Sequence, residues 1–142
     1  MITIAEILKN KSDVYSVATD AMVHDAIAAM ATKDIAAVLV MADKKLVGIF
    51  SAKDYGTRVV LAGRSGKDTR VQEVMTSPVV TVKLEASVDE CMSIMTKRHI
   101  RHLPVFDKGE IAGVVSMGDL ASAIIAGHEF HIEHLMIYMG LK

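Results

Sequence analysis

Tryptophan is absent from this 142-residue chain, and aromatic residues make up only 4% of it although 51% is hydrophobic. A core built on large rings is therefore excluded, and Val, Ile, Leu, Ala and ten Met must supply it. So many thioethers give either an adaptable core or a pliable contact surface. A single cysteine, Cys91, rules out an internal disulfide and fits a reducing cytoplasm. Neither charge sign dominates: 16 basic against 17 acidic side chains leave a net charge of −1. That excludes the basic footprint by which proteins grip a phosphate backbone, so no nucleic-acid partner is expected. No apolar run approaches the roughly 18 residues of a membrane span. The start, Met1-Ile2-Thr3-Ile4-Ala5-Glu6, lacks the basic and apolar regions of a signal peptide. A soluble, cytoplasmic protein without a membrane partner is the expectation.

What the chain does have is a repeat. Displaced by 65 positions, residues 17–54 fall on 82–119 without a gap. Val17 meets Val82, Met30 meets Met95, Ile35 meets Ile100 and Val40 meets Val105. Gly48, Ser51 and Asp54 meet Gly113, Ser116 and Asp119, so both copies end in Gly-x-x-Ser-x-x-Asp. Each copy reads strand, helix, strand, strand, helix. In the second, Val79–Val82 is a short β-branched strand, and Ser87 with Glu90 forms a capping box. Val88, Cys91, Met92 and Met95 then make a core-facing stripe. His102–Phe106 and Ile111–Ser116 are strands joined by Asp107-Lys108-Gly109, and a last helix begins near Asp119. The first copy matches with Val14–Val17, a helix through Met30, Val38–Met41, Leu46–Ser51 and a helix carrying Tyr55, Val59 and Val60. One βαββα unit buries too little surface to be comfortable alone. The expected fold is therefore α/β, two βαββα repeats packed with pseudo-twofold symmetry and a cleft between the halves. Residues 1–66 hold the first repeat, 67–127 the second and 128–142 an amphipathic C-terminal helix.

At Gly113-Val114-Val115-Ser116-Met117-Gly118-Asp119, preceded by Ile100-Arg101-His102-Leu103-Pro104-Val105, the chain resembles the cystathionine-β-synthase (CBS) domain. Gly48-Ile49-Phe50-Ser51-Ala52-Lys53-Asp54 resembles it too, and two copies in tandem look like a stand-alone Bateman module. The resemblance implies an adenosine ligand (AMP, ADP, ATP, NAD(H) or S-adenosylmethionine) and a flat homodimer that regulates an unknown protein. It also implies that Asp54 and Asp119 accept hydrogen bonds from ribose hydroxyls while Ser51 and Ser116 contact phosphate. Backbone around Val17, Val38, Val82 and Leu103 would flank the base. An acceptor-only carboxylate at a helix start suits a diol, and a hydroxyl beside free N–H groups suits a phosphate. The copies differ where Met22 replaces the helix-capping Ser87 and Leu39 replaces the familiar Pro104. The second copy is thus the better ligand candidate.

Each of these residues has a plainer role open to it. Asp is a preferred helix cap, and Lys97-Arg98-His99-Ile100-Arg101-His102 can be a solvated helix end, although Arg101 or His102 could face phosphates. The stretch Gly63–Arg70 reads as a flexible tether without Walker A order, with Arg64 and Lys67 as weak phosphate candidates. His128, His131 and His134 step by three and drift about 60° each time around a helix, so no metal site is expected. Ile132, Leu135, Met136 and Met139 instead mark an amphipathic helix that packs on its own core or on a second subunit. No Ser-His-Asp or Cys-His set offers a catalytic seat. The reading is a non-enzymatic adenine-nucleotide sensor; the rivals are a ligand-free dimerising adaptor and a nucleotide-processing enzyme.

Overall fold

The computed structural model describes residues 2–11 and 14–141, apart from the side chains of residues 128–131 and 134. Two compact units result. One is Val14–Val79; the other joins the N-terminal segment up to Asp13 to Val80–Lys142.

In the first unit, β1 (Ser16–Ala18), α2 (Val23–Lys33), β2 (Ala37–Ala42) and β3 (Lys45–Ser51) follow one another, α1 (Ile4–Lys9) belonging to the other unit. β1 pairs parallel with β2, and β2 pairs antiparallel with β3. Asp43 and Lys44, at φ 47° and 69°, form the tight turn whose twist matches a two-residue hairpin. Helix α2 buries Val23, Ala26 and Met30 against Val38, Val40 and Phe50. It stops at Asp34, which takes the left-handed conformation at φ 53° while Ile35 N–H bonds the Met30 carbonyl. After β3, helix α3 (Ala52–Asp54) runs directly into π-helical turns over Tyr55–Val60, where an ordinary α-helix was expected.

The second unit repeats the plan with α1 (Ile4–Lys9), β4 (Val82–Lys83), α4 (Val88–Arg98), β5 (His102–Asp107), β6 (Glu110–Ser116) and α5 (Met117–Tyr138). His99, equivalent to Asp34 by the 65-residue shift, is also left-handed, at φ 55°. The strand irregularity after Val40 recurs after Val105. Cys91 and Met95 sit in the core with Leu103, Val105, Val115 and Leu120; each such side chain contributes about 2 kcal/mol by burial. Mixed α/β repeats are therefore what the structure contains. The second repeat's last helix and the expected C-terminal helix are one continuous element. His128, His131 and His134 have side chains outside the described residues, and no group that could hold a metal ion occurs among the described residues.

Three local expectations change. Ser87 Oγ accepts from Glu90 N–H at 3.0 Å, but the return bond of a capping box is not made. Met22 offers α2 no side-chain cap; the Thr69 and Gly66 carbonyls accept from Val23 and His24 N–H at 2.9 and 2.8 Å instead. Consequently the segment around Gly63–Arg70 is no free tether: it closes the start of α2, and Thr69 is buried. The parallel ladders also differ. Leu39 N–H donates to the Tyr15 carbonyl at 3.1 Å, whereas Pro104 has no N–H for the equivalent Val80 carbonyl. β4 is accordingly one pair shorter than β1.

Segments from before each repeat complete these sheets. Ile4 is fully buried in the second unit, and α1 lies on β6 with Leu8 over Gly113. In the first unit the same is done by a 3-10 turn at Val71–Glu73 and by Met75 over Gly48. A Cβ at Gly113 would come within 2.7 Å of Leu8 Cδ2. The glycine of the repeated signature is therefore a packing residue that lets this segment approach the strand.

Candidate functional site

The two signatures fold into the same local device. Ser51 and Ser116 are helix N-caps in extended backbone, each accepting from the N–H of the Asp three residues on, at 3.2 and 3.1 Å. In return the Asp carboxylates accept from the Ser51 and Ser116 N–H groups at 3.0 and 2.8 Å. Both are complete capping boxes, so the cap role of these residues is real.

Beyond the cap the sites diverge. Asp54 is 8% exposed and its second oxygen is taken: Thr76 Oγ1 donates to Oδ1 at 3.1 Å, and the Arg58 guanidinium lies 3.9 Å away. Arg58 also donates to the Met75 carbonyl at 2.7 Å, tying the π-helical turns to the same segment. Little acceptor capacity remains on Asp54.

Asp119 has a side chain 25% exposed and one oxygen, Oδ1, with no partner among the described residues. Its Oδ2 accepts from Lys11 Nζ at 2.6 Å, and Lys11 also donates to the Val114 carbonyl at 2.7 Å. Burial opposes ionisation of Asp119, but the Lys11 and Ser116 bonds outweigh it and hold the carboxyl below the usual range. His102 opens β5 opposite Ser116. Its imidazole is pushed below the ordinary value, first by burial and then by the Lys11 charge, with Asp119 pulling the other way.

The other predicted residues scatter. Val38, Val82 and Leu103 give their side chains to the unit cores, and Val17 packs against the first, leaving only backbone for a ligand. Pro104 is buried in β5. Arg101 is exposed just before β5, its carbonyl accepting from Met117 N–H. Arg64 is held by Glu73 at 2.6 Å, and Lys67 is exposed.

Sequence reasoning missed Lys11, Thr76 and Arg58. A signal existed: Ile4-Ala5-Glu6-Ile7-Leu8 matches Val71-Gln72-Glu73-Val74-Met75 at a shift of 67 rather than 65. The repeat thus begins upstream of its first strand, with two residues added between the first copy's leading segment and strand.

A parallel strand and an antiparallel hairpin with helices, duplicated around paired Ser-x-x-Asp caps, define a tandem α/β module. The CBS-domain model matches residues 2–55 and 71–126, and the chain belongs to that family. It is 34% identical to the mitochondrial CBS domain-containing protein CBSX3 of Arabidopsis thaliana over 148 residues, covering 96% of this chain and 71% of that one. Among solved structures, a CBS-domain protein of Burkholderia ambifaria MC40-6 assigned to signal transduction superposes with TM-score 0.85 at 45% identity, covering 88% and 95% of the two chains. The CBS-domain protein ATU1752 of Agrobacterium tumefaciens follows with TM-score 0.81 at 32% identity, covering 86% and 98%. Inosine-5'-monophosphate dehydrogenase of Nitrosopumilus maritimus is 34% identical over 110 residues, only 22% of that enzyme. The likeness is thus to regulatory CBS-domain proteins, and to an enzyme only through a small part of it. No described helix is long and apolar enough to cross a membrane.

Proposed function

We propose that the protein is a regulatory module that binds an adenine nucleotide, AMP, ATP or NAD(H), and reports energy or redox state to a partner protein. The observation that carries this reading is the Oδ1 of Asp119 at the start of α5, unpartnered among the described residues, with the Lys11 ammonium on the other oxygen and His102 opening the neighbouring strand. A ribose diol needs an acceptor, which Asp119 supplies, and a phosphate needs cations and helix N–H groups. The Val80 carbonyl, which receives nothing from Pro104, is a backbone acceptor suited to an exocyclic amine. Family membership supports the ligand class. The ligand acts only through different affinity for two conformations, so it shifts a population rather than driving chemistry. A reducing cytoplasm suits the one thiol, the buried Cys91.

The proposal includes a homodimer: Ile125, Ile132, Leu135 and Ile137 on α5 are each more than half exposed, an apolar surface that association would cover. A second reading, a repeat that serves structure alone, is favoured for the first copy by the saturated Asp54.

A thermal-shift series with AMP, ADP, ATP, NAD+, NADH and S-adenosylmethionine tests the reading. A ligand at a hundred times its Kd adds about 2.7 kcal/mol of stability. The expected result is a shift with at least one phosphorylated ligand that Asp119→Ala abolishes. A chain that none of the six stabilises is no nucleotide sensor.

A further inference from the structure

The partner of each signature carboxylate comes from the segment lying on its strand, and the two partners differ in charge. On Asp54 it is a hydroxyl, Thr76; on Asp119 it is an ammonium, Lys11. The 65-residue shift also sets Ala36 and Ala37 in the first repeat against Arg101 and His102 in the second. Asp54 has both carboxylate oxygens hydrogen-bonded, with the Arg58 guanidinium 3.9 Å away rather than in hydrogen-bond contact. Asp119 has the Lys11 ammonium on one oxygen and the His102 imidazole within reach of its charge, while Oδ1 has no partner among the described residues.

Lys11 spends two N–H groups on Asp119 and Val114, and the third has no partner among the described residues. Its side chain is 34% exposed. A neutral diol approaching Asp119 must share the carboxylate with this ammonium and offers nothing in exchange for the weakened ion pair. A cationic ligand meets repulsion. A diol carrying a phosphate brings its own anion to Lys11 and leaves Asp119 to the hydroxyls.

From this we propose that Lys11 is the specificity-determining residue of the second repeat, making the Ser116/Asp119 site select phosphorylated nucleosides over neutral or cationic ones. The proposal rests on the adenine-nucleotide reading and narrows its ligand class. Titration calorimetry of the whole chain with AMP and with adenosine tests it in the native protein, in Lys11→Thr (the first repeat's residue) and in Lys11→Arg. The native protein should prefer AMP by tenfold or more. Partly exposed ion pairs count for at most about 1 kcal/mol, or roughly fivefold. Lys11→Thr should therefore weaken AMP about fivefold while adenosine tightens, and Lys11→Arg should retain the preference. An AMP-to-adenosine ratio unchanged in Lys11→Thr overturns the proposal while leaving the sensor reading intact. Adenosine binding only in Lys11→Thr, with AMP bound by neither protein, reduces Lys11 to a plug and also overturns it. Binding of neither ligand by any of the three proteins overturns the proposal, and the six-ligand thermal-shift series then decides the sensor reading separately.

Discussion

Removing the two signature aspartates one at a time should separate two roles that their identical motifs conceal. In Asp54→Ala the first repeat loses the carboxylate arm of its capping box and the buried acceptor of Thr76 Oγ1. A lost cap costs about 1 kcal/mol, and a lost part-buried hydrogen bond to a charged acceptor about 2 kcal/mol. Arg58, half exposed and 3.9 Å away, adds little. The sum is about 3 kcal/mol. In Asp119→Ala the cap loss is the same, but the other partner is the partly exposed Lys11, whose ion pair contributes below about 1 kcal/mol. That change should cost about 1.5 kcal/mol. With a urea dependence of about 2 kcal/mol per molar, the two midpoints should lie about 0.75 M apart. Urea unfolding followed by far-UV circular dichroism reads this directly. Were Asp119→Ala equal to or less stable than Asp54→Ala, the claim that Asp54 is the structural carboxylate and Asp119 the available one would be wrong.

Other consequences are as specific. Ile4→Ala should destabilise the protein by about 3 kcal/mol, since a fully buried side chain leaves a cavity in the second unit; hydrogen exchange should show β4–β6 losing protection before β1–β3. Ser87→Ala, which removes the only side-chain cap of α4, should cost about 1 kcal/mol in urea unfolding, whereas Met22→Ala should be nearly neutral because linker carbonyls hold α2. Acidification should act in two stages. His102 has its folded value lowered, so its contribution is full above about pH 6.5 and is lost as pH falls through the depressed folded value; Asp119 behaves likewise below about pH 3.9. Thermal melts between pH 8 and 3 should show this decline, and Lys11→Met should raise the His102 value towards normal by NMR titration; a His102 titration unmoved by that change would deny that the Lys11 charge acts on it.

The duplication, its strand and helix order and the paired Ser-x-x-Asp caps were legible in the residues because they are local. A hairpin turn, a helix cap and an apolar stripe depend on neighbours within a few positions, and copying preserves their spacing. Even the inequality of the copies could be read at Met22 and Leu39, though its physical meaning could not. The structure shows what those changes do: backbone carbonyls replace a missing cap, and Pro104 removes one ladder bond.

The partners of the carboxylates were hidden because they come from a distance of 22 positions for Thr76 and 108 for Lys11. No periodicity reports a contact between segments so far apart, and the two-residue offset broke the register that would have extended the repeat upstream. By itself the sequence determined that this chain is two copies of one α/β unit with a carboxylate at the head of each last helix. Tertiary structure alone decided that one carboxylate is buried under a hydroxyl and a guanidinium while the other, beside an ammonium, has one oxygen without a partner among the described residues. The reason is physical: a segment distant in the chain, after the first signature and before the second, packs over Gly48 or Gly113, and the side chain it carries there sets the charge its aspartate meets.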